Sequence, residues 1–136
     1  VPTIADPGSL DAAAAAGTAW CAEQGLSRAI VLHADLPRIS AGAVDALARD
    51  AGTDVVAIAP CRRGDGTPAI SVPIGSDRAP FAFAYGPGSF RRHAAATRAA
   101  RLGLRCVRDD GLAADLDLPE DLEAEGLLPT TTAEER

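Results

Sequence analysis

The sequence predicts one α/β layered domain built on a parallel sheet, and three observations carry that prediction. First, Arg28-Ala29-Ile30-Val31-Leu32-His33 and Asp54-Val55-Val56-Ala57-Ile58-Ala59-Pro60 are continuous apolar runs of strand length, the pattern of strands buried on both faces. Second, the segments before and between them have helical composition and helix-end signals. Third, the resulting order of strand, helix and strand is that of a β-α-β unit, whose crossover is right-handed. At 136 residues and 47% hydrophobic, the chain is long enough for a single real core, so residues 1–136 are read as one domain.

Each element has its own grounds. Gly8 to Gly25 is alanine-rich and runs between glycines that can start and stop a helix, with Trp20 expected in the core. Arg28 to His33 is a strand that delivers Asp35 to its C-terminal end. Ser40 is a good N-cap, and Val44, Leu47 and Ala48 recur at helical spacing up to Gly52. Asp54 to Pro60 is the next buried strand. The glycine-punctuated loop Arg62-Arg63-Gly64-Asp65-Gly66-Thr67-Pro68 leads to a β-like run from Ala69 to Pro73. Pro80 to Tyr85 alternates large and small residues, and Gly86-Pro87-Gly88-Ser89 breaks it before a helix from about Phe90 to Leu102. Leu104 to Arg108 reads as a strand, Asp109-Asp110-Gly111 as a turn, and the next residues as a short strand carrying Asp115 and Asp117. Pro119 opens a last acidic helix, proline being favoured in the first turn, and residues 130–136 are expected to fray. No internal repeat and no linker interrupts the chain.

Composition narrows the function. A net charge of −6 disfavours a nucleic-acid partner, because phosphate backbones reward a basic face. Cys21, Cys61 and Cys106 are odd in number and far apart, which suits reduced cytoplasmic thiols better than a disulfide or zinc framework. No apolar stretch is long enough to span a membrane, and no signal-peptide pattern opens the chain. There is no methionine, so Val1 is not expected to be the natural start, and the chain reads as truncated. All 13 basic residues are arginine, which leaves no lysine to clamp a triphosphate.

Two acidic clusters point to the chemistry. Asp35 sits in Leu32-His33-Ala34-Asp35-Leu36-Pro37, and Asp115-Leu116-Asp117-Leu118-Pro119 places two carboxylates on one face of a strand. Three carboxylates brought together form an oxygen-ligand site for a hard divalent ion, and the chemistry implied is the handling of phosphates. Alone, Asp35 also reads as a turn residue bonding its own backbone, and Asp115 and Asp117 as residues facing solvent on an edge strand. Gly86-Pro87-Gly88-Ser89 at a helix start offers backbone N–H groups and the helix dipole to an anion, unless Ser89 is simply the N-cap. Arg91, Arg92, Arg98 and Arg101 read as a solvated helix face, with Arg91 and Arg92 near its anion end, and His33 as a packed residue at a strand end.

Four blocks carry a family resemblance: His33-Ala34-Asp35-Leu36-Pro37; Gly64-Asp65-Gly66-Thr67; Phe83-Ala84-Tyr85-Gly86-Pro87-Gly88-Ser89-Phe90-Arg91-Arg92-His93; and Leu112 to Leu122 with its Asp115-Leu116-Asp117 core. From about Asp6 to Leu122 the chain closely resembles the CofC/FbiD guanylyltransferases. That resemblance implies a three-layer αβα, Rossmann-like nucleotidyltransferase fold with a mixed, mostly parallel sheet. It implies Mg2+ held by Asp35, Asp115 and Asp117 as the catalytic and metal-binding residues, and Thr67, Gly86 and Ser89 receiving the acid's carboxylate. It also implies GTP and phosphoenolpyruvate or 2-phospho-L-lactate as substrates, in deazaflavin coenzyme biosynthesis. Asp11 stands where the family has an asparagine near the nucleotide, and a homodimer is compatible with the resemblance. The chain departs from the family pattern at Cys61 and Pro68, where an aspartate and an asparagine are usual, and the family's first strand with its glycine- and lysine-bearing nucleotide loop is not matched. Three readings follow: the acceptor part of a GTP-dependent guanylyltransferase, a non-catalytic remnant that binds acid and metal, or a nucleotidyltransferase of molybdopterin-like specificity.

Overall fold

Along β2 (Val55–Ala59) successive side chains fall on opposite faces of the sheet, and the two faces have different partners. Ala57 and Ala59 pack with Ala69, Leu36, Val107 and Leu112 and with Ala43 and Leu47 of α2 (Ala41–Ala48). Val56 and Ile58 pack with Ile70, Val72 and Phe81, and against them lie Cys21 of α1 (Leu10–Glu23) and Phe90 and Ala96 of α3 (Ser89–Ala99). One helix on one face and two on the other make the three-layer αβα arrangement that the sequence implied. The computed structural model describes residues 2–49 and 52–127. The tail at 130–136, expected to fray, lies outside the described residues.

The sheet is built from β1 (Arg28–Leu32), β2, β3 (Ala69–Pro73) and β4 (Gly103–Cys106), in the order β1-β3-β2-β4. β3 is antiparallel to both its neighbours, and β2 is parallel to β4. Strands β1, β2 and β4 therefore run the same way, and β3 alone is reversed. This corrects the simple β-α-β reading: β1 and β2 share a direction but do not pair, because β3 lies between them. The loop between β2 and β3 is short enough to turn the chain straight back, whereas a parallel neighbour requires a long crossover. Gly64, at φ 75°, supplies one of its bends.

The register fixes the consequence. Leu32 and Ala59 both pair with Ala69, so the C-terminal ends of β1 and β2 meet the start of β3 at one edge of the sheet. Asp35, the Cys61–Thr67 loop and the segment that follows β4 all emerge there. Ligands in open α/β sheets bind beyond the carboxyl ends of the strands.

Two expectations fail for identifiable reasons. Asp115 and Asp117 are not on a strand. Asp109 instead caps α4 (Asp110–Ala113), its Oδ1 accepting from the N–H of Gly111 at 2.8 Å and of Leu112 at 3.1 Å, and an irregular segment then carries both aspartates to α5 (Pro119–Ala124). Gly111 is needed because a Cβ there would stand 2.5 Å from the Arg38 carbonyl oxygen. Trp20 is not core: it is 37% exposed and lines a largely apolar groove of about 780 Å3 beside β1. Pro80 to Tyr85 joins no sheet and lies against α3, where Ala84 N–H and the rings of Phe81, Phe83 and Tyr85 meet His93.

Arginines rather than apolar groups finish some of the joints. The Arg105 guanidinium donates to the carbonyls of Ala46, Leu47 and Arg49, which closes the C-terminal end of α2 onto β4. Arg28 does the same for Gly52 and Val55 beside β2. Among the described residues no helix is long and apolar enough to cross a membrane.

Leu47 is fully buried between α2 and the sheet, so Leu47→Ala removes packing that the layer cannot replace. The expected loss is about 2–5 kcal/mol of unfolding free energy in urea denaturation.

Candidate functional site

The edge where β1, β2 and β3 meet holds a cavity of about 350 Å3 whose wall includes Thr67, Gly86, Ser89, Asp115 and Asp117. Asp35 borders the adjoining apolar groove, and Asp117, His33 and Tyr85 line both spaces. Five of the seven residues singled out from sequence thus share one cavity, and Asp35 stands at its boundary. Asp11 borders neither: its Oδ1 accepts the Tyr85 N–H at 2.6 Å, so the carboxylate ties α1 to the segment above α3.

The acidic side of the cavity is electrostatically costly. Asp115 is only 8% exposed. Burial first, and then the charges of Asp117 and Asp35, push its carboxyl above the usual range, with Arg63 pulling the other way. The Oδ1 of Asp35 is buried without a hydrogen-bond partner, as is Nε2 of the neighbouring His33. Unpartnered buried carboxylate oxygens are expensive unless a cation meets them. Among the described residues, no three His, Cys, Asp or Glu side chains are gathered closely enough to hold a metal ion by themselves. Mg2+ does not ask for such a cage, since it commonly takes one or two carboxylates, several waters and substrate phosphate oxygens. An orphaned carboxylate oxygen beside two further carboxylates, all oxygen donors, fits an ion of that kind.

Asp121 holds this segment in place. Its Oδ2 accepts the N–H groups of Asp117 at 3.0 Å and Leu118 at 2.8 Å, while Oδ1 accepts from Arg63 at 2.8 Å. The Leu118 N–H bond, followed by the Arg63 guanidinium, keeps the Asp121 carboxyl below the usual range. Arg38 and Arg62 both pair with Glu125, just beyond α5. The last helix is therefore latched over the site by three arginines, and Asp117 is presented from its N-terminus. Reading the sequence for chemistry passed over Asp121 and Arg63. The signal was there, since an acidic residue three positions after an N-cap commonly reaches back to the cap.

The opposite wall is polar, with the hydroxyls of Thr67 and Ser89 and the carboxylate of Asp65 in its lining. Ser89, expected as a possible N-cap, is instead the first residue of α3, because Gly88 at φ 73° takes the cap position without a side-chain bond. Ser89 Oγ turns inward to Thr67 Oγ1 at 3.2 Å, and both residues are 2% exposed. The helix-start amides are less free than expected: Ser89 N–H donates to the Gly86 carbonyl and Phe90 N–H to that of Asp65, each at 3.0 Å. An anion here would meet hydroxyls and the dipole of α3 rather than a bare row of amides. Gly86 has φ 100°, and a Cβ on it would press on the Arg92 guanidinium, which donates to the Tyr85 carbonyl at 2.6 Å. Arg91 is exposed on the outer face of α3.

Cys61 has a definite role. Its Sγ accepts the Gly66 N–H at 3.1 Å while its own N–H donates to the Gly66 carbonyl at 3.2 Å, which closes the loop that ends in Thr67. Pro68 offers no N–H, but its carbonyl accepts from His33 N–H at 2.9 Å and extends the joint between β1 and β3.

With this geometry in view, comparison with known proteins is informative. Residues 3–128 match the family described as "Guanylyl transferase CofC like". The chain belongs to that family. It is 41% identical over 102 residues to the phosphoenolpyruvate guanylyltransferase of Sphaerobacter thermophilus, covering 74% of this chain and 47% of that protein. It is 37% identical over 115 residues to the phosphoenolpyruvate guanylyltransferase of Rubrobacter xylanophilus, covering 83% and 54%. A third relative, the 3-phospho-D-glycerate guanylyltransferase of Phenylobacterium zucineum, is 35% identical over 116 residues, covering 85% and 52%. The chain spans about half the length of the curated relatives it matches.

Asp115 yields a prediction with a definite sign. A carboxyl raised above its unfolded value binds its proton more tightly in the folded state, so it stabilises at low pH and that contribution is lost as pH rises through the raised value. Asp115→Asn removes the ionised group. Its thermal midpoint should exceed that of the unsubstituted protein by a few degrees at neutral pH, with the gain fading as the solution is acidified toward the ordinary carboxylate range. Equal midpoints at neutral pH would contradict the crowding of these charges.

Proposed function

We propose that this chain forms the acceptor and metal-binding part of a GTP-dependent guanylyltransferase. The reaction joins GMP to the phosphate of a phosphorylated three-carbon acid and releases pyrophosphate. The observation that carries this reading is the two-sided cavity, with the carboxylates of Asp115 and Asp117 on one wall, Asp35 at its boundary, and the hydroxyls of Thr67 and Ser89 on the other. A molecule with a phosphate at one end and a carboxylate at the other complements both walls, provided a cation stands between its phosphate and the aspartates.

Asp35, Asp115 and Asp117 are the residues that would hold magnesium. When bound, the ion neutralises the charge of the acid's phosphate and of the phosphates it reacts with. The protein's own contribution is positioning. Thr67 and Ser89 fix the carboxylate end by hydrogen bonds to the charged group, and α3 adds its dipole at the same point. Asp121 and Arg63 keep Asp117 in place. Tyr85, whose hydroxyl is buried without a partner and whose acidity burial suppresses, stands between the cavity and the groove as a neutral donor. Phosphoryl chemistry needs little more than such placement and charge neutralisation.

The acids consistent with this reading are phosphoenolpyruvate, which two relatives name, 2-phospho-L-lactate, and 3-phospho-D-glycerate, which the third names. Deazaflavin coenzyme biosynthesis is the setting we assign to the step. The chain contributes no lysine, so its grip on the triphosphate of GTP would have to come through magnesium or through arginine.

Two substitutions test the two walls separately. Asp117→Asn keeps the shape but weakens the electrostatic anchor, so the rise in thermal midpoint that magnesium and phosphoenolpyruvate together produce should vanish. Ser89→Ala should keep the magnesium dependence and weaken phosphoenolpyruvate by about one to two orders of magnitude, the worth of one charge-assisted hydrogen bond. Unchanged ligand response in both variants sinks the proposal.

A further inference from the structure

His93 is fully buried under the site and lines neither cavity, yet its ring connects to the hydroxyl wall. The proton positions follow from the partners. The Ala84 backbone N–H lies 2.9 Å from Nε2, and a backbone amide can only donate, so Nε2 carries no proton. Burial lowers the ring's pKa to about 4, which keeps it neutral at physiological pH. A neutral imidazole with a bare Nε2 has its proton on Nδ1. Nδ1 is 3.0 Å from Thr67 Oγ1, so His93 donates to Thr67.

That donation decides what the neighbouring hydroxyls present. Thr67 Oγ1 has two lone pairs and one proton. His93 occupies one lone pair, and Ser89 Oγ stands 3.2 Å away on another side. If Ser89 donates to Thr67, the Thr67 proton is free to turn outward. If Thr67 donates to Ser89, the Ser89 proton is free instead. In both senses the pair offers the cavity an O–H donor, and a lone pair that would repel an anion is engaged inside. Packing alone does not call for this residue: the ring sits among Phe81, Phe83 and Tyr85 at centroid distances of 4.8 to 6.2 Å, surroundings that would suit a phenylalanine. What a phenylalanine lacks is the two nitrogens.

We propose that His93 is a positioning residue whose Nδ1–H sets the Thr67–Ser89 hydroxyl pair as a donor toward the carboxylate of the bound acid. The proposal rests on the acid-binding reading above. His93 does not touch the acid and acts through Thr67.

Two near-isosteric substitutions separate this from a structural role. The amide of asparagine reaches the place of Nδ1, and that of glutamine the place of Nε2. His93→Asn therefore keeps the donor to Thr67 and loses the acceptor for Ala84, while His93→Gln does the reverse, and each gives up one internal bond. Affinities are measured by calorimetry with magnesium for phosphoenolpyruvate and for methyl phosphate, which has no carboxylate. The unsubstituted protein should prefer phosphoenolpyruvate. His93→Gln should lose about tenfold of that preference with methyl phosphate unaffected, and His93→Asn should retain it. Combined with Thr67→Val, His93→Gln should add no further loss, because the two act through one bond. Equal losses in the two variants, or none in either, overturn the positioning role while leaving acid binding intact. If the unsubstituted protein shows no preference for phosphoenolpyruvate over methyl phosphate, the acid-binding reading fails and this inference with it. Should either variant fold poorly, the nitrogen-15 shifts of His93 in the unsubstituted protein decide: an Nδ1–H tautomer is expected, and an Nε2–H tautomer overturns the inference.

Discussion

Asp115 lies with Asp35 and Asp117 at one edge of the sheet, where burial and the charges of these two neighbours work against its own ionisation. A protein selected only for stability would replace them or surround them with cations. Here Arg63, whose charge acts on Asp115, is already engaged by Asp121, and a further carboxylate, Asp65, lines the same cavity. Tolerated repulsion of this kind is a common mark of a site built for a positively charged visitor.

The remaining architecture serves that edge. Reversal of β3 between β1 and β2 brings Thr67 to the same end of the sheet as Asp35, which two adjacent parallel strands joined by a helix would not have done. Gly111 allows the chain after β4 to pass against Arg38, and Asp109 starts a single turn of helix that swings Asp115 inward. Asp121 and the arginine pairs to Glu125 then fix the return. His93 supports the hydroxyls of that cavity from beneath, through Thr67. Each of these joints is a hydrogen bond or a close backbone approach rather than a large apolar contact, so the site's geometry depends on polar detail, whereas the layers beneath it depend on Leu47, Ile58, Ile70 and Leu112.

How much of this was legible follows from the kind of signal each part carries. Apolar runs and caps are local, and β1, β2, β3, α1, α2 and α3 all lie where those signals put them. Strand pairing is not local: nothing in Ala69–Pro73 says which neighbours it will find, and only the short return from β2 decides it. The alternating Asp115-Leu116-Asp117-Leu118 looked like a strand because its period is two, but among the described residues it pairs with no strand, and Asp109 captures the preceding amides for a helix. Trp20 was expected in the core on its type alone, and its exposure reflects the open side of β1, which a single residue cannot announce. The carboxylates and Ser89 were singled out from local sequence pattern and Thr67 through a family resemblance, whereas His93 and Asp121 were passed over because what distinguishes them is which atoms they touch.

The proposed function requires a phosphorylated acid and a divalent cation to occupy this cavity together, each making the site tolerable for the other. Calorimetric titration of the chain with phosphoenolpyruvate, once in magnesium and once in a chelator, addresses it directly. Binding in magnesium that disappears in the chelator is the predicted result. Binding of equal strength in the chelator, or none under either condition, would contradict it.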